Sequence, residues 1–430
     1  MGPNRSPFQS ILDKHRPDMK TYESIYRDFH KNPELSTLEN DTSAKVAQHL
    51  KSISQDLDIR TGIGGTGLIA ICKNGSGPTI LLRSDMDGLP LEEKTGLEYA
   101  SKKRMTDPTD NVEKPVMHAC GHDAHMTCNL AAAETLLKAR DEWSGTIVFL
   151  FQPAEEIARG AQAMVDDGLF DSKKHGCPTP DVFLGQHVLP LPPGKVVTRP
   201  GTIMCAADSF RITVYGKGGH GSMPHLCIDP VVIASAIVMK LQTIVSRETP
   251  PRESAVVTVA SFHAGESANV ISDQAVLQLN IRTVGEHSRQ IALDSVYRIV
   301  KGECDMGRCP KEPLIERLNQ YPLTINDSGL AGKVQESFGN HFGDQHQILE
   351  APFSGSEDFQ NLATAVKKPS FFWGWSATDP DAFKKHEKEG TLDELPSNHS
   401  SFFTTSIPLT LDTGIDAMVV AALTFVGKSR

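Results

Sequence analysis

Thr146-Ile-Val-Phe-Leu-Phe151 runs directly into Gln152-Pro153-Ala154-Glu155-Glu156. An unbroken β-branched and aromatic run is the mark of a strand buried on both faces, in a sheet with helices on each side. Proline ends the strand and two carboxylates follow. In open α/β sheets, ligands bind beyond the carboxyl ends of the strands. Adjacent residues past a strand can point differently, so one carboxylate can ligate a metal while its neighbour takes a proton from water. The plainer reading is a surface Glu-Glu pair opening a helix, where acidic residues favour the dipole.

Other strands end in the same way. Residues 79–83 run into Ser84-Asp85-Met86-Asp87-Gly88, and 181–185 into Gln186-His187. Residues 67–72 read as a further strand. Residues 21–29, 41–53 and 123–139 read as helices, with Asp123 as a candidate N-cap. This alternation is an α/β sheet covered on both sides. Ahead of the third helix stands Met117-His-Ala-Cys-Gly-His-Asp-Ala-His125. Cys-x-His and His-x-x-His spacings both let donors converge on a metal; a core cysteine among surface histidines is the bland alternative.

From about residue 207 the rhythm changes. Residues 208–216 alternate as a half-buried strand, with Phe210, Ile212 and Val214 on one face. Asp229-Pro230 caps a helix to about 246. Strands at 255–263 and 274–283, a helix at 286–301 and a strand near 313–321 complete β-α-β-β-α-β, a small antiparallel sheet with helices on one face. Near 322 the earlier pattern returns, so 207–321 reads as an insertion in a domain of 1–206 and 322–430. The insertion carries Gly216-Lys-Gly-Gly-His220, a loop able to project an imidazole; its spacing does not match a phosphate-binding loop.

A chain of 430 residues suits two domains, and 39% hydrophobic with 22% charged residues is a globular composition. A net charge of −10 argues against nucleic acid as the main partner. No uninterrupted apolar run matches a bilayer span and no signal-peptide core is read, so no membrane and a cytoplasmic location are expected. Met1-Gly2-Pro3-Asn4-Arg5-Ser6 fits the letters of a myristoylation signal, but Pro3 makes it a poor example. Eight cysteines without a secretion signal suggest free thiols or ligands, Cys304 and Cys309 being read as ordinary thiols.

Together these stretches resemble the co-catalytic metallohydrolase family of aminoacylases, glutamate carboxypeptidases and succinyl-diaminopimelate desuccinylase. Within it, the likeness is to the amidohydrolase branch with hippurate hydrolases and auxin–amino acid conjugate hydrolases. The matching motifs are His30-Lys-Asn-Pro-Glu-Leu35, Arg83-Ser-Asp-Met-Asp-Gly-Leu-Pro90, His118 to His125, Phe151 to Glu156 and Gly185-Gln-His187. Gly216 to His220, Ala268-Asn-Val-Ile271, Ser356-Glu-Asp-Phe359 and Asn398-His399 continue the match.

The resemblance implies a zinc-peptidase-like catalytic domain with a mainly parallel sheet, and an inserted ferredoxin-like α+β lid or dimerisation domain. It implies two divalent metal ions, zinc or manganese, with Cys120 as bridging ligand and His122, Glu156, His187 and His399 as the others. Glu155 would be the general base, and Asp87 would orient a metal-binding histidine. His220 would steady the oxyanion across the interface of a homodimer, and Asn269 and Arg282 would meet a substrate carboxylate. His118, Asp123, His125, Glu357 and Asp358 stay outside the ligand set.

The expected reaction is hydrolysis of the amide of a small-molecule N-acyl amino acid. The alternatives are a dipeptidase or small-peptide carboxypeptidase with the same site, and a non-catalytic metal-binding scaffold. A substrate-pocket wall is expected around Phe353 and Trp373. This sequence departs from its relatives at Ser397-Asn-His-Ser-Ser-Phe402, which lacks the usual proline two residues after the histidine. It also has Asn-Val-Ile-Ser for Asn-Val-Ile-Pro.

Overall fold

Residue 6 and residues 8–428 are described by the computed structural model; the myristoylation-like letters at 1–5 lie outside them. Contacts divide the chain into two compact units. The larger runs to Ile203 and resumes over Ile325–Ala351 and from Asp358; the smaller is Met204–Thr324 with Pro352–Glu357. Residues 352–357, assigned from the sequence to the larger domain, go with the smaller unit for a local reason. Cys205 N donates to Gly355 O at 2.9 Å, and Arg282 Nη1 donates to Ser354 O at 2.8 Å.

The larger unit is built on an eight-stranded sheet. Its order is Asp58–Ile63, Gly67–Asn74, Gly145–Gln152, Thr79–Asp85, Val182–Leu189, Ser370–Ser376, Val196–Thr198 and His346–Ile348. The four central strands, from Gly145–Gln152 to Ser370–Ser376, run parallel, so their carboxyl ends share one edge. Alternate residues face opposite layers. Ile80, Leu82, Ile147, Phe149 and Phe151 join the main core, while Leu81, Val148, Leu150 and Phe183 are equally buried on the other face. Helices His122–Lys138 and Leu409–Val426 are buried in the main core layer.

Strand Val182–Leu189 is longer than its apolar run suggests. Gln186 and His187 lie inside it because it pairs with Ser370–Ser376, His187 opposite Gly374. Trp373 is no pocket wall: it is fully buried, and its indole N–H donates to Gln186 Oε1 at 3.0 Å.

The smaller unit is a four-stranded antiparallel sheet in the order Ala255–Ala264, Gln274–Thr283, Ala206–Tyr215, Leu314–Tyr321. Phe210, Ile212 and Val214 face a core shared with Ile233, Ile237 and Leu241 of helix Pro230–Thr243 and Val296 and Ile299 of helix Glu286–Met306. Two stretches, Pro230–Glu248 and Leu409–Val426, are helical, long and apolar enough to cross a membrane by length and composition. The sequence reading discounted such spans. The second is largely buried as a core helix, and the first buries one face against its own sheet.

Candidate metal centre

The donors gather at the carboxyl edge of the central strands. Helix His122–Lys138 starts from Gly121, at φ +83°. A Cβ there would lie 2.3 Å from Val188 Cγ1, so a glycine is needed on both conformational and steric grounds. The turn sets Cys120 and His122 on either side of it. Asp123 is therefore not the N-cap; it lies inside the first turn, and its carboxylate pairs with His30 Nδ1 at 2.7 Å.

After strand Gly145–Gln152, Ala154 adopts φ +50° and swings Glu155 and Glu156 beyond the sheet edge. His187 comes from the neighbouring strand. His399, at φ +67°, is tied back by donating its N–H to Ala119 O at 2.8 Å. Asn398 Nδ2 donates to Cys120 O at 3.2 Å and to Val188 O at 3.1 Å, fixing the same loop.

These elements bring five sequence-predicted donors together. Cys120 Sγ lies 3.3 Å from His187 Nε2, and His399 Nε2 lies 3.3 Å from Glu156 Oε2. His122 Nε2 is 3.8 Å from Glu156 Oε1 and 3.9 Å from Glu155 Oε2. Cys120 with His122 and His187, and Cys120 with Glu156 and His399, each have donor atoms within 4.8 Å of one another.

The surroundings fit divalent ions. His122 Nδ1 donates to Asp87 O at 2.8 Å, and His187 Nδ1 to Val188 O at 2.7 Å. Each bond turns Nε2 inward, toward the other donors, the usual outer arrangement around a metal-binding imidazole. Among the described residues, His122 Nε2 and Glu156 Oε1 are buried without a hydrogen-bond partner. Buried polar atoms are seldom left so, and atoms spaced at 3.3–3.9 Å suit ligands about 2.0–2.3 Å from a shared ion.

The electrostatics match. Burial, then Glu156, Glu155 and Asp85, push the Cys120 thiol well above its usual range. Burial pulls His122 down, but Asp85, Asp87 and Glu156 outweigh it and push it up to about 10. Burial, with His125 and His122 nearby, holds His187 well below the usual histidine value. A crowd of carboxylates thus stabilises positive charge at this edge, and protons on Cys120 and His122 are what a cation would displace.

Asp85 and His125 also lie near His122. His125 is already used on both nitrogens: Nδ1 pairs with Asp85 Oδ1 at 2.5 Å and Nε2 accepts from Val188 N at 3.0 Å. Its ring sits edge-on to His187 at 4.6 Å and beside His122 at 5.2 Å, supporting both rather than binding metal. Asp85, Ser36 and Glu39 were not singled out for roles from the sequence. Asp85 stands in a quoted motif. Glu39 offers no local signal, because its partner Ala154 is 115 residues away.

His220, Asn269 and Arg282 belong to the smaller unit. Strand Gly219–His220 pairs with Val270–Ile271, and Gly221 N donates to Asn269 O at 2.8 Å, so His220 and Asn269 share one exposed loop pair. Ser222 N donates to His220 Nδ1 at 3.1 Å, which leaves the proton on Nε2. Arg282 uses Nη1 for Ser354 O and Ser356 Oγ.

The profile of Peptidase family M20/M25/M40 matches residues 81–399. The hippurate hydrolase of Campylobacter jejuni is 37% identical over 341 residues, 79% of this chain and 84% of the relative. Thermostable carboxypeptidase 2 of Saccharolobus solfataricus is 34% identical over 402 residues, 91% of this chain and 93% of the relative. The crystal structure of the Bacillus subtilis YXEP protein, described as a dinuclear metal-binding peptidase from the M20 family, gives a TM-score of 0.71. It is 28% identical and covers 94% of this chain and 97% of that one.

Proposed function

This chain belongs to peptidase family M20/M25/M40, and on that premise we propose that it hydrolyses the amide bond of N-acyl-amino acids carrying a free carboxylate. The observation that carries the reading is the convergence of Cys120, His122, Glu156, His187 and His399 beside a further carboxylate, Glu155, at one sheet edge. We assign the five as ligands of two divalent ions, with Cys120 common to both donor groups. Bound there, the ions would supply Lewis acidity, polarising the amide carbonyl and bringing the pKa of water toward ~7.

The chain's own residues do the rest. Glu155 takes the proton from the attacking water and returns it to the leaving nitrogen. Asp87 holds His122 through its backbone carbonyl, and its carboxylate Oδ2 accepts from Glu156 N at 3.0 Å. His220, with its proton on Nε2, donates to the carbonyl oxygen as charge builds there. Asn269 and Arg282 take the substrate carboxylate, Arg282 through the donors its serine contacts leave over. Thiolate and imidazole donors suit zinc, while the Glu156 carboxylate suits manganese as well, and metal analysis of the purified protein distinguishes them.

We also propose a homodimer through the smaller unit, where helix Pro230–Thr243 leaves Val231, Val232 and Met239 exposed. A cytoplasmic location is consistent with eight unpaired cysteines.

A panel of N-acetyl amino acids, hippurate and dipeptides, run beside metal analysis, tests the substrate class. Turnover of acyl amino acids is expected. Turnover of dipeptides alone would replace the reading with a peptidase, which the carboxypeptidase relative favours. Glu155→Gln should reduce kcat by at least ~10²-fold with metal content intact. Unchanged kcat would remove Glu155 as the base.

A further inference from the structure

We propose that Glu39 is a positioning residue for the turn that carries Glu155 and Glu156. The assignment rests on the hydrolase reading above for its effect on turnover, and on geometry for everything else. Glu39 is fully buried, and the groups that donate to its side chain are neutral. Oε1 accepts from Ala154 N at 2.8 Å and from Thr37 N at 3.0 Å, and Oε2 accepts from Thr66 Oγ1 at 2.6 Å. Burial, with the Asp87 carboxylate nearby, pushes the Glu39 pKa up to about 7, so its hold rests on where its two oxygens sit rather than on full charge.

The residue it grips is the one that needs gripping. Ala154 sits at φ +50°, a conformation an alanine adopts only when its surroundings impose it. Two residues on, Glu156 N donates to Asp87 Oδ2 at 3.0 Å, and that same oxygen accepts from Ser36 Oγ at 2.6 Å. Gly88 N donates to Glu34 O at 2.7 Å. The segment 34–39 therefore clasps both ends of the turn, Ala154 directly and Glu156 by way of Asp87. Glu155 is the residue between. This gives His30-Lys-Asn-Pro-Glu-Leu35 and the residues after it a purpose that metal ligation does not.

Such a device acts on geometry. A base displaced by about 1 Å loses roughly a hundredfold in rate, with ground-state binding little changed. The test compares wild type, Glu39→Ala and Glu39→Gln as metal-loaded protein on an N-acyl amino acid that the wild type turns over. Metal content and hydrogen exchange at the Ala154 amide are read alongside. For Glu39→Ala we expect wild-type metal content, KM within about threefold, kcat down roughly a hundredfold, and faster exchange at Ala154.

Glu39→Gln keeps a carbonyl oxygen for Ala154 N and should stay within roughly tenfold of wild-type kcat. If Glu39→Ala does not accumulate as folded protein, Glu39→Asp carries the same expectation, since it keeps a carboxyl group and withdraws its oxygens by one methylene. Wild-type kcat in the Ala or Asp variant, Glu39→Gln as slow as Glu39→Ala, or loss of kcat only in step with loss of metal overturns the assignment. If the wild type cleaves no amide, the hydrolase reading fails instead, and unchanged Ala154 exchange in the variants then overturns the positioning role by itself.

Discussion

His30 shows what a single buried residue contributes here. It is 1% exposed, with Nδ1 2.7 Å from Asp123 Oδ2 and Nε2 2.9 Å from Glu93 Oε1, so it satisfies both carboxylates only as an imidazolium. Burial pulls its pKa down, but Asp123 and Glu93 outweigh it and push it up to about 9. A histidine raised in the folded state stabilises fully below its unfolded value near 6.5, and that stability is lost as pH climbs through 9. Wild type and His30→Gln, both stripped of metal, should differ by on the order of 3 kcal/mol at pH 6, with the gap narrowing steadily as pH climbs through 9. Denaturant titrations at three pH values check this; a pH-independent gap would sink it. His30 stood in a motif readable from the sequence, but its role was not readable. Glu93 and Asp123 are 63 and 93 residues away, and nothing local announces a pairing over that distance.

At the scale of elements, the parallel strands were legible because burial on both faces leaves a continuous apolar run. Their ends were less so. Strand Val182–Leu189 continues through the polar Gln186-His187 because its neighbour supplies backbone partners, which override side-chain character. The start of helix His122–Lys138 was displaced for a similar reason. Asp123 has the composition of an N-cap, but the turn is set by Gly121 wedged against Val188 and Phe403. Gly121→Ala should therefore act beyond its size. A Cβ 2.3 Å from Val188 Cγ1, on a residue at φ +83°, forces the loop to move. We expect a stability loss of about 1–3 kcal/mol and substoichiometric metal. Denaturation together with metal analysis decides it, and full metal content at wild-type stability would show that the loop tolerates a side chain.

For the whole molecule, the insertion was visible as a change from buried runs to alternation, a difference in how many faces of a strand are covered. The return of 352–357 to the smaller unit was not visible. Those residues join through backbone bonds such as Cys205 N to Gly355 O, which carry no side-chain pattern. The smaller unit also leaves Val232 at 64% and Met239 at 72% exposure on one helix. If that face pairs two copies, Val232→Asp with Met239→Asp should yield monomers, and activity should fall with them if His220 serves the partner's site. Light scattering beside turnover tests both parts. A wild type that is already monomeric and fully active refutes the dimer.

The five donors are unequally sheltered. Cys120, His122 and His187 are 0–7% exposed and the Glu156 side chain 6%, whereas the side chain of His399 is 56% exposed. Any competitor for the ions meets His399 first, so release should be ordered in time: the donor group containing His399 empties before the enclosed group of Cys120, His122 and His187. Stopped-flow chelation should show two phases, and a single phase releasing both ions would contradict this. Two preparations identical in sequence and fold could then differ in specific activity simply because one had been dialysed longer.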